Sequence, residues 1–163
     1  MIQQAQIQQI ILSKLEDYTA CICVPANTTK KMPPYPYISF NVINTDVKKG
    51  TYGAVEEGNK RYLFKELSQT WSFTAQSDDN EQALAIAMLI SDFFEESKRQ
   101  ELEDNNIVVA DVGAITPRDN MLTIEYEYRK GLDVKLRLNN VIESTVDNEI
   151  EKINIGNINL EKE

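Results

Sequence analysis

Five groups of reactive or charged side chains stand out in this 163-residue sequence. Asp78-Asp79 is an adjacent carboxylate pair beside a strand-like run, the residue type that holds a divalent cation through oxygen ligands. Glu125 and Glu127 lie two apart in an alternating stretch, so they share one strand face and could act as paired acid and base. Cys21 and Cys23 supply two thiols, Trp71 and Phe73 two aromatic faces, and Lys48, Lys49, Lys60, Arg61 and Lys65 a basic patch. Each group has a plainer assignment. Asp78 and Asp79 precede a helical pattern, where capping uses both. Charges at 125 and 127 read as solvated or interface groups on a strand face, and Trp71 with Phe73 as core. Two thiols in a chain with no histidine cannot complete an ordinary zinc site. Two apart on one extended segment, they are also poorly placed to bridge each other, so reduced, cytosolic cysteines are expected. The lack of histidine removes every His-based triad and the commonest general base. No Gly-rich phosphate cradle of the P-loop or dinucleotide type is present. The sequence thus offers no catalytic residue, no cofactor site and no metal site, and directs attention to surfaces that meet partners.

The elements that position these groups follow from hydrophobic patterning. Hydrophobic content of 42% and charged content of 26% suit one globular domain of this length. Net charge of −9 argues against a duplex-DNA binder working by phosphate neutralisation. The acidity is all in the second half, since residues 77–163 hold 9 basic against 20 acidic side chains. No run of about 18 apolar residues exists to span a bilayer. The start, Met-Ile-Gln-Gln-Ala-Gln, lacks the basic flank and apolar block of a secretion signal.

Ile7, Ile10, Ile11, Leu15 and Tyr18 predict an amphipathic helix within residues 1–20. Pro25, Pro33, Pro34 and Pro36 exclude helix and central strand, predicting an ordered extended connector. A strand begins near Tyr35. Residues 46–66, broken by Gly50, Gly53 and Gly58, form either a protruding hairpin arm or a functional loop. Leu67, Trp71, Phe73 and Ala75 alternate as a strand, and Asp78 with Glu81 has capping-box spacing before a helix over about 80–98. That helix is apolar over most of its circumference, so its second cover is expected from another subunit. Residues 99–106 are helical or looped, 107–116 a strand and 117–120 a turn.

From Met121 to Leu138 apolar residues alternate with charged ones, specifying a sheet with one dry and one charged face. At Arg129-Lys130-Gly131 a three-residue hairpin loop and one continuous bent strand both preserve the parity, whereas a two-residue turn does not. Residues 143–163 read as a C-terminal edge strand or arm. The expected fold is α+β, a mixed, mainly antiparallel sheet with one long helix packed on it and an N-terminal helix. Candidate contact residues are Tyr35 and Tyr37 beside the double proline, Lys48, Lys49, Lys60 and Arg61 in the odd region, and Arg129 at the turn or bend. The basic group is either a solvated loop or an arm that docks a partner or faces DNA. The tyrosines are either a subunit contact or a connector packed on the sheet.

Three phrases, in this order and spacing, carry a resemblance. They are Pro34-Tyr35-Pro36-Tyr37-Ile38-Ser39-Phe40, Trp71-Ser72-Phe73-Thr74-Ala75-Gln76-Ser77-Asp78-Asp79, and Tyr126-Glu127-Tyr128-Arg129-Lys130-Gly131-Leu132-Asp133-Val134. Over about residues 1–155 the chain resembles the tail terminator, or neck terminator, proteins of long-tailed bacteriophages. The resemblance implies a non-enzymatic subunit of a homo-oligomeric ring, usually hexameric. Such a ring caps the head-proximal end of the tail tube, stops its growth and meets the head–tail connector. It further implies a place in the virion tail or neck after assembly in the host cytoplasm, no cofactor, no membrane, and DNA passing through without specific binding. Two departures stand out: Leu132 replaces a bulky aromatic common in the family, and the tail after Ile155 is rich in Asn and Glu. The alternatives are another head–tail adaptor or tail-tube-like subunit, against which the long helix weighs, and a small metal-dependent enzyme using Asp78, Asp79, Glu125 and Glu127.

Overall fold

The computed structural model describes residues 4–48, 53–121 and 126–146. Helix α1, Gln4–Thr19, buries Ile7, Ile11, Leu15 and Thr19, one residue per turn along a single stripe. Ala20, at φ 55, ends it. Strand β1, Ile22–Pro25, then runs parallel to β2, Tyr37–Val47. β1 lies at the sheet edge, where the missing N–H of Pro25 leaves no ladder bond unmade.

The sheet is mixed and mainly antiparallel. Its path is β1-β2-β4-β8-β5, with β4 Lys60–Ser77, β8 Tyr126–Thr145 and β5 Ile107–Val112. β3, Gly53–Glu57, joins β4 beyond the end of β2, and Gly58 at φ 63 opens the two-residue loop between them. β6, Thr116–Pro117, and β7, Asn120–Met121, add to β8. The expected strand 107–116 is thus two strands, interrupted where the Gly113 N–H bonds to the Asp133 carbonyl at 2.7 Å.

β4 and β8 pair without a register break from Lys60↔Thr145 to Ser77↔Tyr128. Arg129-Lys130-Gly131 is therefore the continuous-strand alternative, with Gly131 opposite Thr74. The alternating stretch does not run on from Met121, however. Asn120 pairs with Glu127 and Met121 with Tyr126, so the chain reverses between β7 and β8; Leu122, Ile124 and Glu125 lie outside the described residues. So do Lys49 and the tail from 147.

The inner sheet face carries Trp71, Phe73, Leu132, Val134, Leu136 and Leu138, all buried beneath the helices. Trp71 is fully buried, stacks on Phe40 and Phe73, and donates its indole N–H to Gln69 Oε1 at 3.0 Å. Helix α2, Asn80–Asp92, packs on β4 and β8 through Ala83, Ile86, Ala87 and Ile90. Its N-cap is Asp79, one residue after the expected Asp78, and its carboxylate accepts from the N–H groups of Glu81 and Gln82.

The single helix expected over 80–98 is in fact broken. A π-helical segment, Phe93–Ser97, follows α2, and α3, Arg99–Asp104, starts after Lys98. The wider turn lets adjacent Phe93 and Phe94 both enter the core, where they meet edge to face. No helix among the described residues is long and apolar enough to cross a membrane.

Candidate functional site

The charged face of β8 is not uniformly solvated. Tyr37, Gln76 and Arg129 stand side by side across β2, β4 and β8 on the outer face, and Glu127 follows on the same side. The connector containing Tyr35 covers them, making Glu127 buried at 3% exposure. Its carboxylate is met from three sides. Tyr35 donates its hydroxyl to Oε1 at 2.9 Å, Tyr37 approaches the same oxygen at 3.5 Å, and Arg129 donates Nε and Nη2 to Oε2 at 2.8 and 2.6 Å. The tyrosine rings stack with centroids 5.7 Å apart, and the Tyr35–Pro36 peptide is cis. Tyr37 also donates to Gln76 Oε1 at 2.5 Å, and Gln76 donates to Ser39 Oγ at 2.7 Å.

Burial, reinforced by the Glu127 carboxylate, pushes the Tyr35 phenol up to about 12. The same causes raise Tyr37. Both phenols are therefore protonated donors at neutral pH, and the cluster holds a segment in place without making a phenolate nucleophile. An open cavity of about 450 Å³ lies between it and Arg118. Arg118 Nη1 donates to Ser72 Oγ at 2.6 Å and Thr74 Oγ1 at 3.0 Å, and Nη2 pairs with Asp133 at 3.0 Å. The guanidinium lies across Gly131, where an added Cβ would come within 2.7 Å of it. Gly131 thus leaves, inside a strand, the space that the Arg118 guanidinium fills.

The structure brings Tyr35, Tyr37 and Arg129 together through Glu127, which the sequence offered only as one of a carboxylate pair or a solvated or interface charge and which is buried instead, and through Gln76, which sequence reasoning did not single out. Strand parity already placed Glu127 beside Arg129, and a glycine inside an alternating run was the available sign of Arg118. The basic residues sit elsewhere, on the arm built by β3 and the Lys60 end of β4. Each described one of the candidate set has an acidic neighbour: Lys48–Glu66 at 2.7 Å, Lys60–Glu143 at 2.7 Å and Arg61–Glu56 at 3.6 Å. The arm is accordingly a lattice of ion pairs, not a bare cationic patch suited to phosphate.

The other candidate groups are occupied structurally. Asp79 caps α2. Glu127 is taken up by Arg129 and the tyrosines, and no group of three or more potential metal ligands occurs among the described residues. Cys21 and Cys23 are free thiols. Burial raises both, and the neighbouring Glu16 carboxylate adds to the effect at Cys23, which reaches about 12. Neither is poised as a nucleophile.

The family model described as phage neck terminator protein matches residues 5–163. No curated protein matches the chain.

Proposed function

The chain belongs to the phage neck terminator family, and from that premise we propose that its copies form a ring, of six subunits, on the head-proximal end of the tail tube. It is a structural bacteriophage protein of the virion neck. In this reading the ring halts tube growth, presents its other face to the head–tail connector, and lets DNA pass without holding it. Net charge of −9 supports the last point, because an acidic wall repels the phosphate backbone.

The observation that carries the ring is the outer side of α2. Leu84, Met88 and Leu89 are exposed there at 41, 54 and 36%, on a helix whose opposite side is already packed on its own sheet. A surface of this kind on a small subunit calls for a protein neighbour. Tyr35, Tyr37 and Arg129 serve this assembly indirectly, by fixing the connector on the outer sheet face.

Native mass measurement of the full chain, alone and mixed with purified tail tubes, tests the reading. The expected particle has six subunit masses of 18.6 kDa each and occupies one tube end. A strict monomer that leaves tubes free to elongate overturns it.

A further inference from the structure

The helices cover the inner sheet face only to about Leu67 and Leu138, and past them the inner side of the arm keeps a few apolar residues among charged and polar ones. Leu63 pairs with Ala54 and Ile142, and Leu67 with Val47, all pointing to the inner side. Val47 and Ile142 are exposed, and a groove of about 580 Å³ opens between the strands and the first turns of α1 at Gln4 and Gln8. A sheet face that outruns its helices is half of a helix-on-sheet layer.

The other half is on the same chain. The exposed stripe of α2 is apolar in the middle, at Leu84 and Met88, and acidic at both ends, at Glu81 and Asp92, which lie about 16 Å apart along the helix axis. The inner side of the arm carries Lys65 and, about 13 Å away along β4, Arg61, which already meets Glu56 at 3.6 Å. The groove, lined by Val42, Val47 and Leu67, therefore offers apolar surface to the stripe, and Lys65 offers a charge opposite to that of its acidic ends. A chain cannot satisfy itself this way. The unbroken β4–β8 ladder holds the arm in line with the sheet, and α2 lies on that sheet with its stripe turned outward.

We propose that the outer stripe of α2 in one copy lies in the arm groove of the next copy, placing each α2 between its own sheet and a neighbour's arm. The proposal rests on the ring reading and gives it a contact. Two different surfaces meet, so the contact is heterologous and closes into a ring by rotation. A second copy fits better than a tube or connector subunit because both halves, with complementary charge, belong to one polypeptide.

Thiol pairing tests it on the full chain. Met88→Cys and Val47→Cys variants are prepared separately, mixed, and treated with a short bismaleimide, both free and on tail tubes. The native thiols give little background, since Cys21 is buried and Cys23 is held at about 12. Expected are covalent dimers in the mixture alone, with peptides containing positions 47 and 88 joined, and a ladder of larger species from the double variant. Met88→Cys joining to itself overturns the proposal in favour of a two-fold helix contact. Rings present by native mass but without the 47–88 link overturn the pairing and leave the ring standing. Absence of any oligomer, free or on tubes, removes both. As an independent arm, Lys65→Glu is expected to weaken assembly roughly tenfold and Lys65→Glu with Asp92→Lys to restore it; failure of that rescue, with both variants folded by circular dichroism, counts against the geometry.

Discussion

Glu127 concentrates more interactions than any other acidic side chain described, and its replacement separates charge from shape. In Glu127→Gln the amide retains the volume but leaves the Arg129 guanidinium without its anion and Tyr35 with a weaker acceptor. Because Arg129 remains about one-third exposed, water offsets part of the loss, and destabilisation of about 1–3 kcal/mol is expected in urea unfolding. Tyr35 adds a pH signature. Its folded-state pKa is raised to about 12 from the ordinary value of 10.0. The stability it contributes is therefore fully present below pH 10 and lost as pH rises through 12. The unfolding midpoint of the wild type is expected to fall more steeply across that window than that of Tyr35→Phe, while the two profiles run parallel below it. Gly131 and Arg118 form a second residue-scale test. Gly131→Ala forces the guanidinium off Ser72, Thr74 and Asp133, at a cost of about 1–2 kcal/mol. Arg118→Ala removes the same contacts, so the double variant is expected to cost little more than either single one. Additive losses would show that the glycine serves some other purpose.

At the scale of elements, the capping residue decides where α2 begins. Asp79→Ala is expected to cost about 1 kcal/mol, whereas Asp78→Ala stays within about 0.5 kcal/mol, both read from thermal or urea unfolding. Reversal of that order would return the cap to Asp78. How far such elements are legible in sequence depends on whether local pattern or tertiary contact sets them. α1 and β4 are legible because one face of each is buried along its length, so Ile7, Ile11 and Leu15, or Trp71, Phe73 and Ala75, repeat at the helix or strand period. The Asp79 cap, by contrast, was displaced by one residue because Ser, Asp and Asn are all capping types and only backbone geometry chooses among them. The π segment is hidden for a different reason: Phe93-Phe94 looks like helix, and two adjacent rings reach one core only when the turn widens. The reversal between Met121 and Tyr126 was missed because residues on both sides of it keep the same alternation. Of the candidate site, Tyr35, Tyr37 and Arg129 were legible as residues that the plain core did not explain. Their common partner, Glu127, was visible only as a solvated or interface charge or one of a carboxylate pair, since nothing local reports that a connector about 90 residues earlier will bury a strand-face carboxylate.

For the whole molecule, the governing fact is a mismatch of lengths. β8 has 20 residues and β4 has 18, so their shared ladder extends about 60 Å. α2, with 13 residues, covers only about 20 Å along its axis. Roughly half of the ladder therefore has hydrogen bonds with little buried apolar surface above them, and local opening there costs far less than global unfolding. In the free chain, amides of residues 60–66 and 139–145 are expected to exchange about 100-fold faster or more than those of 71–76 and 131–138. Ion pairs such as Lys60–Glu143 do not change this, because exposed pairs contribute little. Assembly alters the expectation in a specific way. If a neighbour's α2 covers the arm, exchange at 60–66 slows toward the rate of the core in assembled tails, and α2 slows together with it, since both are buried by the same contact. Protection of the arm without protection of α2 would mean that something other than a second copy lies on it. Equal protection of arm and core in the free chain would mean that the arm is stable by itself, and that the need for a neighbour is smaller than the lengths of these elements imply.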